Sequence, residues 1–344
     1  MLINPKQHIK FMAKEKTEKE EEVEEKKDSS ELKLTDLPGI GATTAAKLEE
    51  SGYGDLMSLA VMTPADLSAI ADMTEATARK AISAARKMLH LEFEDATEFL
   101  KRRESVVKIT TNSKNLNALL GGGVETRAIT EAYGAFGSGK SQLAHQLAVN
   151  VQLPLEKGGA NGKAVWLDTE STFRPERIRQ MCEAQGLDFQ KTLKNIFVAR
   201  VFNSDHQILL VDKIIDLVRK GEPIKLVIID SITAHFRAEF SGRGQLADRQ
   251  QKINKHLHNL MRIAESQNLA VYITNQVMAD PAMMFGDPTK AVGGHILAHA
   301  STYRIYLRKG KKNARVAKMI DSPNLPENET IFFIAEGGLQ DEEP

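Results

Sequence analysis

Gly134-Ala135-Phe136-Gly137-Ser138-Gly139-Lys140-Ser141 decides how this chain is read. Arg127-Ala128-Ile129-Thr130-Glu131-Ala132-Tyr133 precedes it and reads as a buried strand, while Gln142-Leu143-Ala144-His145-Gln146-Leu147-Ala148 follows it and reads as a helix. Strand, glycine loop and helix in that order build a cradle for phosphates. Glycines let backbone N–H groups turn inward at low steric cost, and the helix N-terminus offers partial positive charge to the anion. The spacing is GxxxxGK[ST], which assigns Lys140 to the β/γ-phosphates of a triphosphate and the Ser141 hydroxyl to a bound Mg²⁺. A glycine-rich turn could match the pattern by chance, but the flanking strand and helix weigh against that.

Composition sets the frame around this loop. With 344 residues the chain has room for more than one domain, and 42% hydrophobic residues is enough for a sizeable core. No apolar run is long enough to span a bilayer, and the N-terminus lacks the apolar segment and cleavage site of a signal peptide, so no membrane partner is expected. Cys182 is the single cysteine, which excludes an intramolecular disulfide and fits a reducing, cytoplasmic compartment. The formal net charge is +0, so any site for a nucleic acid has to be a local patch.

Four segments follow from texture. Residues 1–31 form a charged tail, because the Lys and Glu run over 14–31 cannot bury enough surface to offset chain entropy; a solvated helix is the alternative. Residues 1–11 look unlike the rest, and Met12 would be a natural start. Residues 32–91 read as a small all-α domain of short helices and turns. Within it Leu37-Pro38-Gly39-Ile40-Gly41, then a helix over 43–51, looks like a helix-hairpin-helix unit whose Gly39 and Gly41 bring backbone N–H groups to a DNA phosphate without reading a base. An ordinary turn in a helical bundle is the plainer reading. A second copy precedes the helix over 75–89, with Asp72 where a glycine is expected, so that copy is expected to pack. Residues 92–105 link the domains and contain Phe93-Glu94-Asp95-Ala96, which taken alone reads as packing on its own chain.

From 106 to 344 strands alternate with helices, the pattern of a mainly parallel sheet covered on both faces. Strands are expected over 164–168, 226–230 and 270–274. The helix over 246–267 presents Leu246, Ile253, Leu257, Leu260, Met261 and Ala264 as core. Strand C-termini line the ligand crevice in such sheets. Asp230 therefore becomes the carboxylate that holds Mg²⁺ through water beside Ser141, and Glu170 the group that polarises the water attacking the γ-phosphate. Gln276, with a donor and an acceptor, can contact that phosphate and report on it. Two glycine-rich basic loops leave the same edge. One carries Arg237, Arg243 and Gly244; the other, over 277–295, carries Lys290, Gly293 and Gly294 and shows no periodicity, so both suit a strand of nucleic acid gripped by its phosphates.

Together these residues resemble the archaeal RadA recombinases, which belong with the bacterial RecA proteins, from about Leu34 nearly to the end. The most specific pieces are Leu120-Gly121-Gly122-Gly123, the glycine loop, Asp168-Thr169-Glu170 with Thr172-Phe173-Arg174-Pro175-Glu176-Arg177, Gly242-Arg243-Gly244, Thr274-Asn275-Gln276-Val277 and Gly293-Gly294-His295. The resemblance implies a RecA-like P-loop ATPase core. It also implies an ATP- and Mg²⁺-dependent protein that forms filaments or rings on single-stranded DNA, exchanges strands with duplex DNA on the nucleoid, and works with recombination mediators. It implies a catalytic role for Glu170 with Lys140 and Gln276, and ATP contacts from the loop residues 134–141, Gln142, Arg177 stacked on adenine, Gln180 and His295. Asp321 and Pro323 would cap ATP from across a subunit interface. Phe93 and Ala96 would be the polymerisation motif docking on the next subunit, which reverses their plain reading. Ser141 stands where threonine is usual, and Ser171 where glycine is common. The rival readings are a paralogue that binds ATP and DNA without exchanging strands, and a hexameric helicase of the same core.

Overall fold

The computed structural model describes residues 33–89, 93–240, 242–279 and 289–343. The charged stretch 1–31 lies outside them, as do Pro281, Gly286 and Pro288 of the second basic loop and the side chains of Arg243, Lys290 and His295. The chain divides into two compact units, Met1–Lys101 and Arg102–Pro344.

In the first unit a 3-10 turn at Leu34–Asp36 leads to α1 (Ala42–Glu50), α2 (Leu56–Ala60), α3 (Pro64–Ala71) and α4 (Glu75–Met88), with α5 (Ala96–Arg103) beginning in the connector. Capping fixes these short helices. Asp55, Thr63 and Thr74 each accept a backbone N–H from the first turn of α2, α3 and α4 respectively. In α4, Ala78, Ala81, Ile82 and Ala85 recur at helical spacing and are buried against Leu48, Leu59 and Leu67. Asp72 ends α3 in the left-handed region (φ 50, ψ 45), the conformation for which a glycine is the easy choice, and its carboxylate meets Lys47 at 2.5 Å.

The second unit is α/β, built around strands and helices in alternation. Strands β1 (Lys108–Ile109) and β2 (Val124–Glu125) pair with each other, with α6 (Lys114–Leu119) between them in sequence. A nine-stranded sheet follows. It contains β3 (Ala128–Tyr133), β4 (Lys163–Asp168), β5 (Ile196–Arg200), β6 (Ile224–Asp230) and β7 (Ala270–Asn275), connected through α7 (Lys140–Asn150), α8 (Pro175–Gln185), α9 (Phe189–Lys194), α10 (Ser204–Arg219), α11 (Ala234–Glu239) and α12 (Leu246–Ser266). After β8 (Val277–Ala279), β9 (Thr289–Ala291) and α13 (Gly294–Ala300), the sheet is completed by β10 (Tyr303–Lys309), β11 (Arg315–Asp321), β12 (Glu329–Ala335) and β13 (Gly338–Gln340). The order across it is β13-β12-β11-β10-β3-β7-β6-β4-β5. From β10 to β5 neighbouring strands run parallel, and from β10 to β13 they run antiparallel.

Alternation explains why the parallel strands read as unbroken apolar runs. In β6, Leu226 and Ile228 enter one core with Leu143, Leu147 and Trp166, while Val227 and Ile229 enter the other with Leu257 and Leu260. Both faces are covered, so both parities are apolar.

Two expectations need correction. Leu246 is 44% exposed and not core, because it starts α12 ahead of the turns that meet the sheet. The second basic loop is not structureless: β8 pairs antiparallel with β9, and α13 begins behind Gly293 (φ 94). Strands of three residues are too short to show alternation in a sequence.

Candidate nucleotide-binding site

The sheet brings the chemistry together by register. Asp168 of β4 lies opposite Asp230 of β6, Ile229 opposite Ile273 of β7, and Tyr133 of β3 opposite Asn275. All four strands therefore end at one edge. There they meet a cavity of about 830 Å³ lined by Gly134, Ala135, Phe136, Gly137, Gly139, Lys140, Ser141, Gln142, Glu170, Thr172, Arg177, Asp230, Ser231, Thr274, Gln276, Val277, Arg315, Ile334 and Ala335.

The glycine loop sits between β3 and α7. A Cβ on Gly134 would come within 2.0 Å of the Leu307 carbonyl oxygen, so no larger residue fits. Lys140 turns its Nζ back to the carbonyls of Gly134 at 2.8 Å and Ala135 at 3.1 Å. Burial lowers its pKa, and the nearby Asp230 and Glu170 carboxylates oppose that shift. Beneath the loop, the Tyr272 hydroxyl donates to the Lys140 carbonyl at 3.0 Å.

Around Asp230 the partners come from two other strand ends. Thr274 donates to its Oδ1, and Thr172 donates to its Oδ2 at 2.6 Å. Glu170 Oε1 accepts from the Ser231 hydroxyl at 2.6 Å and from Gln276 Nε2 at 2.7 Å. Gln276 Oε1 in turn accepts from Arg237 at 3.1 Å. A line of side chains thus runs from the exposed Glu170 to Arg237, which stands in the helix α11 and not, as the sequence suggested, on the loop that carries Gly244. The second loop is fastened at the same place, since Asn275 Nδ2 donates to the Val292 carbonyl at 2.6 Å and Val292 N–H to the Gln276 carbonyl at 3.0 Å.

Arg177 lines the same cavity. Its guanidinium donates to Gln142 at 2.7 Å, Gln180 at 2.8 Å, the Ala335 carbonyl at 2.6 Å and the Glu336 carbonyl. Such fastening presents a flat cationic face of the kind that stacks on an aromatic base.

Six residues that the sequence put forward, Ser138, Gln180, Asp321, Pro323, Phe93 and Ala96, lie outside this lining. Ser138 and Gln180 stand behind the lining. Asp321 pairs with Arg304, level with Glu131 and two strands from β3, and neither it nor Pro323 lines the cavity. Phe93 and Ala96, in the first unit, are exposed, Phe93 fully so at 109%. Sequence reading gave no role to Thr172, Ser231, Thr274 or Arg315. Thr172 and Ser231 stand within two residues of Glu170 and Asp230 in the sequence, which is a usable signal; Thr274 reaches Asp230 only across 44 residues, and no motif singles out Arg315.

A glycine loop from strand to helix, with carboxylates at neighbouring strand ends of a RecA-like sheet, defines a P-loop protein. The chain belongs to the Rad51 family, whose model matches residues 102–342, and the SAM-like helix-hairpin-helix tandem matches residues 31–87. It is 54% identical over 317 residues to the DNA repair and recombination protein RadA of Aeropyrum pernix, covering 92% of this chain and 99% of that protein. No helix among the described residues is long and apolar enough to cross a membrane.

Proposed function

We propose that the chain is an ATP-dependent DNA recombinase that assembles as a filament on single-stranded DNA, pairs it with homologous duplex and exchanges strands in recombinational repair. Membership of the Rad51 family and likeness to a protein named for DNA repair and recombination support this reading. The observation that carries it is the hydrogen-bonded run from Glu170 through Gln276 to Arg237, which joins a carboxylate of the cavity to a cation on α11, just ahead of the first basic loop.

ATP and Mg²⁺ fit the residues present. Ser141 and Asp230 offer hard oxygen donors of the kind Mg²⁺ takes, and no group of three or more His, Cys, Asp or Glu among the described residues could hold an ion alone, so phosphates and water would complete the set. When bound, the ion offsets charge that builds on the phosphates. In this reading Lys140 leaves its loop carbonyls for the β/γ-phosphates, Arg177 stacks on adenine, and Glu170 takes the proton of the attacking water. Gln276, with His295, senses the γ-phosphate. Arg237, Arg243, Gly244, Lys290, Gly293 and Gly294 grip single-stranded DNA, and Gly39 and Gly41 bring backbone N–H groups to DNA phosphates without reading a base. Asp321 and Pro323 cap the neighbour's nucleotide, and Phe93 and Ala96 dock on the neighbour. The work then takes place on the nucleoid in the cytoplasm, with mediators as further partners.

A strand-exchange assay between circular single-stranded DNA and homologous linear duplex, with ATP or a non-hydrolysable analogue, tests the reading. Joint molecules form only with homologous duplex. Tight single-strand binding without exchange would favour the paralogue, and closed rings that unwind duplex by translocating would favour the helicase.

A further inference from the structure

His145 has no part in the reading above, yet it joins two halves of the site. It is 1% exposed and lies on α7, four residues after Ser141. Its Nδ1 is 2.6 Å from the Ser141 carbonyl oxygen, and its Nε2 is 3.0 Å from the backbone nitrogen of Arg174. A carbonyl only accepts and an amide N–H only donates. Both bonds therefore exist together only when Nδ1 carries the proton and Nε2 offers its lone pair. Aromatic neighbours hold the ring in that plane: its centroid is 4.6 Å from that of Trp166, and it stacks on Phe173 at 5.7 Å with an interplanar angle of 13°.

Arg174 closes the short loop that leaves β4 with Glu170, Ser171 and Thr172. Ser171 holds a left-handed conformation (φ 59) that the loop has to maintain against its own preference. Thr172 fixes the middle of the loop on Asp168 and Asp230; the bond to His145 fixes its far end.

We propose that His145 is a positioning residue, a splint that sets the distance between the helix bearing Lys140 and Ser141 and the loop bearing Glu170 and Thr172. The proposal rests on the reading of this cavity as a site of ATP hydrolysis. Geometry here is worth much, because a displacement of about 1 Å between a reacting group and its target can cost about 100-fold in rate. A histidine that merely fills the core would need its ring but not its nitrogens.

Three variants of the full chain separate the nitrogens from the ring. His145→Phe keeps the ring volume and the stacking and removes both bonds. His145→Gln can place an acceptor near the Nε2 position, and His145→Asn a donor near the Nδ1 position. Each is measured for DNA-stimulated ATP turnover, for affinity of a fluorescent non-hydrolysable ATP analogue, for melting temperature, and for hydrogen exchange at the Arg174 amide.

His145→Phe is expected to lose about 10- to 100-fold in turnover while its analogue affinity stays within about threefold, with faster exchange at Arg174. His145→Gln recovers part of both turnover and protection, and His145→Asn recovers neither. Wild-type turnover per folded molecule in His145→Phe overturns the proposal, and so does an analogue affinity that falls as far as turnover. If His145→Phe does not fold, the other pair decides, and equal turnover in His145→Gln and His145→Asn overturns it. A wild-type chain with no ATP turnover would instead refute the reading of the cavity and take the proposal with it.

Discussion

At the scale of single residues, the site separates holding a nucleotide from hydrolysing it. Glu170 lines the cavity and is held by Ser231 and Gln276 without touching the glycine loop in any hydrogen bond named above. Glu170→Gln keeps the size of the side chain and removes the charge, so analogue binding is expected to persist while turnover falls by about 100-fold or more. Lys140→Ala removes the phosphate contact and is expected to weaken nucleotide binding itself. Parallel titration and turnover assays check both, and wild-type turnover in Glu170→Gln would end the assignment. His256 makes a different prediction. Burial between α10 and α12 lowers its pKa from 6.5 to about 4, with Gln207 Nε2 3.1 Å away. A depressed folded pKa means that the unfolded chain binds the proton first, so stability is full above pH 6.5 and falls as pH drops toward 4. By pH 5 the loss is about 2 kcal/mol. Urea unfolding from pH 7.5 to 5 measures it, and His256→Asn is expected to flatten that slope whatever it does to absolute stability.

At the scale of elements, the two hairpins of the first unit differ at the start of their second helices. Thr74 caps α4 with its own hydroxyl, whereas Gly41 stands before α1 with no side chain to cap it. The first helix start is thus open to an external anion, and the second is closed. The glycines beside α1 also differ. Gly39 has φ 83, and an added Cβ would lie 2.4 Å from Thr77 Cγ2; Gly41 has no atom within 4 Å of such a Cβ. Gly39→Ala is expected to cost the first unit about 1–2 kcal/mol from the left-handed backbone alone. Gly41→Ala should cost only the weaker preference of alanine at a cap, about 1 kcal/mol or less, and show itself mainly in duplex binding. Thermal denaturation followed by circular dichroism, beside duplex titration, distinguishes the pair; equal stability loss in both would refute the division of roles.

At the scale of the whole molecule, the roles proposed for Phe93 and Asp321 concern assembly. Phe93, two residues before the Asp95 cap of α5, is fully exposed among the described residues, and aromatic residues are frequent anchors at subunit interfaces. Phe93→Ala is expected to leave the melting temperature unchanged. It is expected to weaken self-association by about 2 kcal/mol, roughly 30-fold, and to lower DNA-stimulated turnover, since Asp321 and Pro323 would serve the neighbour's nucleotide. Light scattering and thermal melting on the same samples test this. A variant that assembles normally would remove Phe93 from the interface.

Features that depend only on neighbours along the chain were legible in the sequence. The glycine loop, the strand and helix around it, the apolar runs of β4, β6 and β7 and the amphipathic α4 and α12 are local, because backbone freedom and the periods of 2 and 3.6 act within a few residues. Which of these meet depends on how the chain folds over long separations. Glu170 reaches Ser231 across 61 residues and Gln276 across 106, and Arg237 reaches Gln276 across 39, distances in sequence over which no spacing rule operates. Strand order placed β10 beside β3 and brought Arg315, Ile334 and Ala335 into the cavity, although no motif in the sequence singles out these three residues. The same order set Asp321 two strands away from the loop in its own chain. The splint at His145 belongs here too, for a buried histidine shows its partners only once the fold has put the Arg174 amide within reach of its ring.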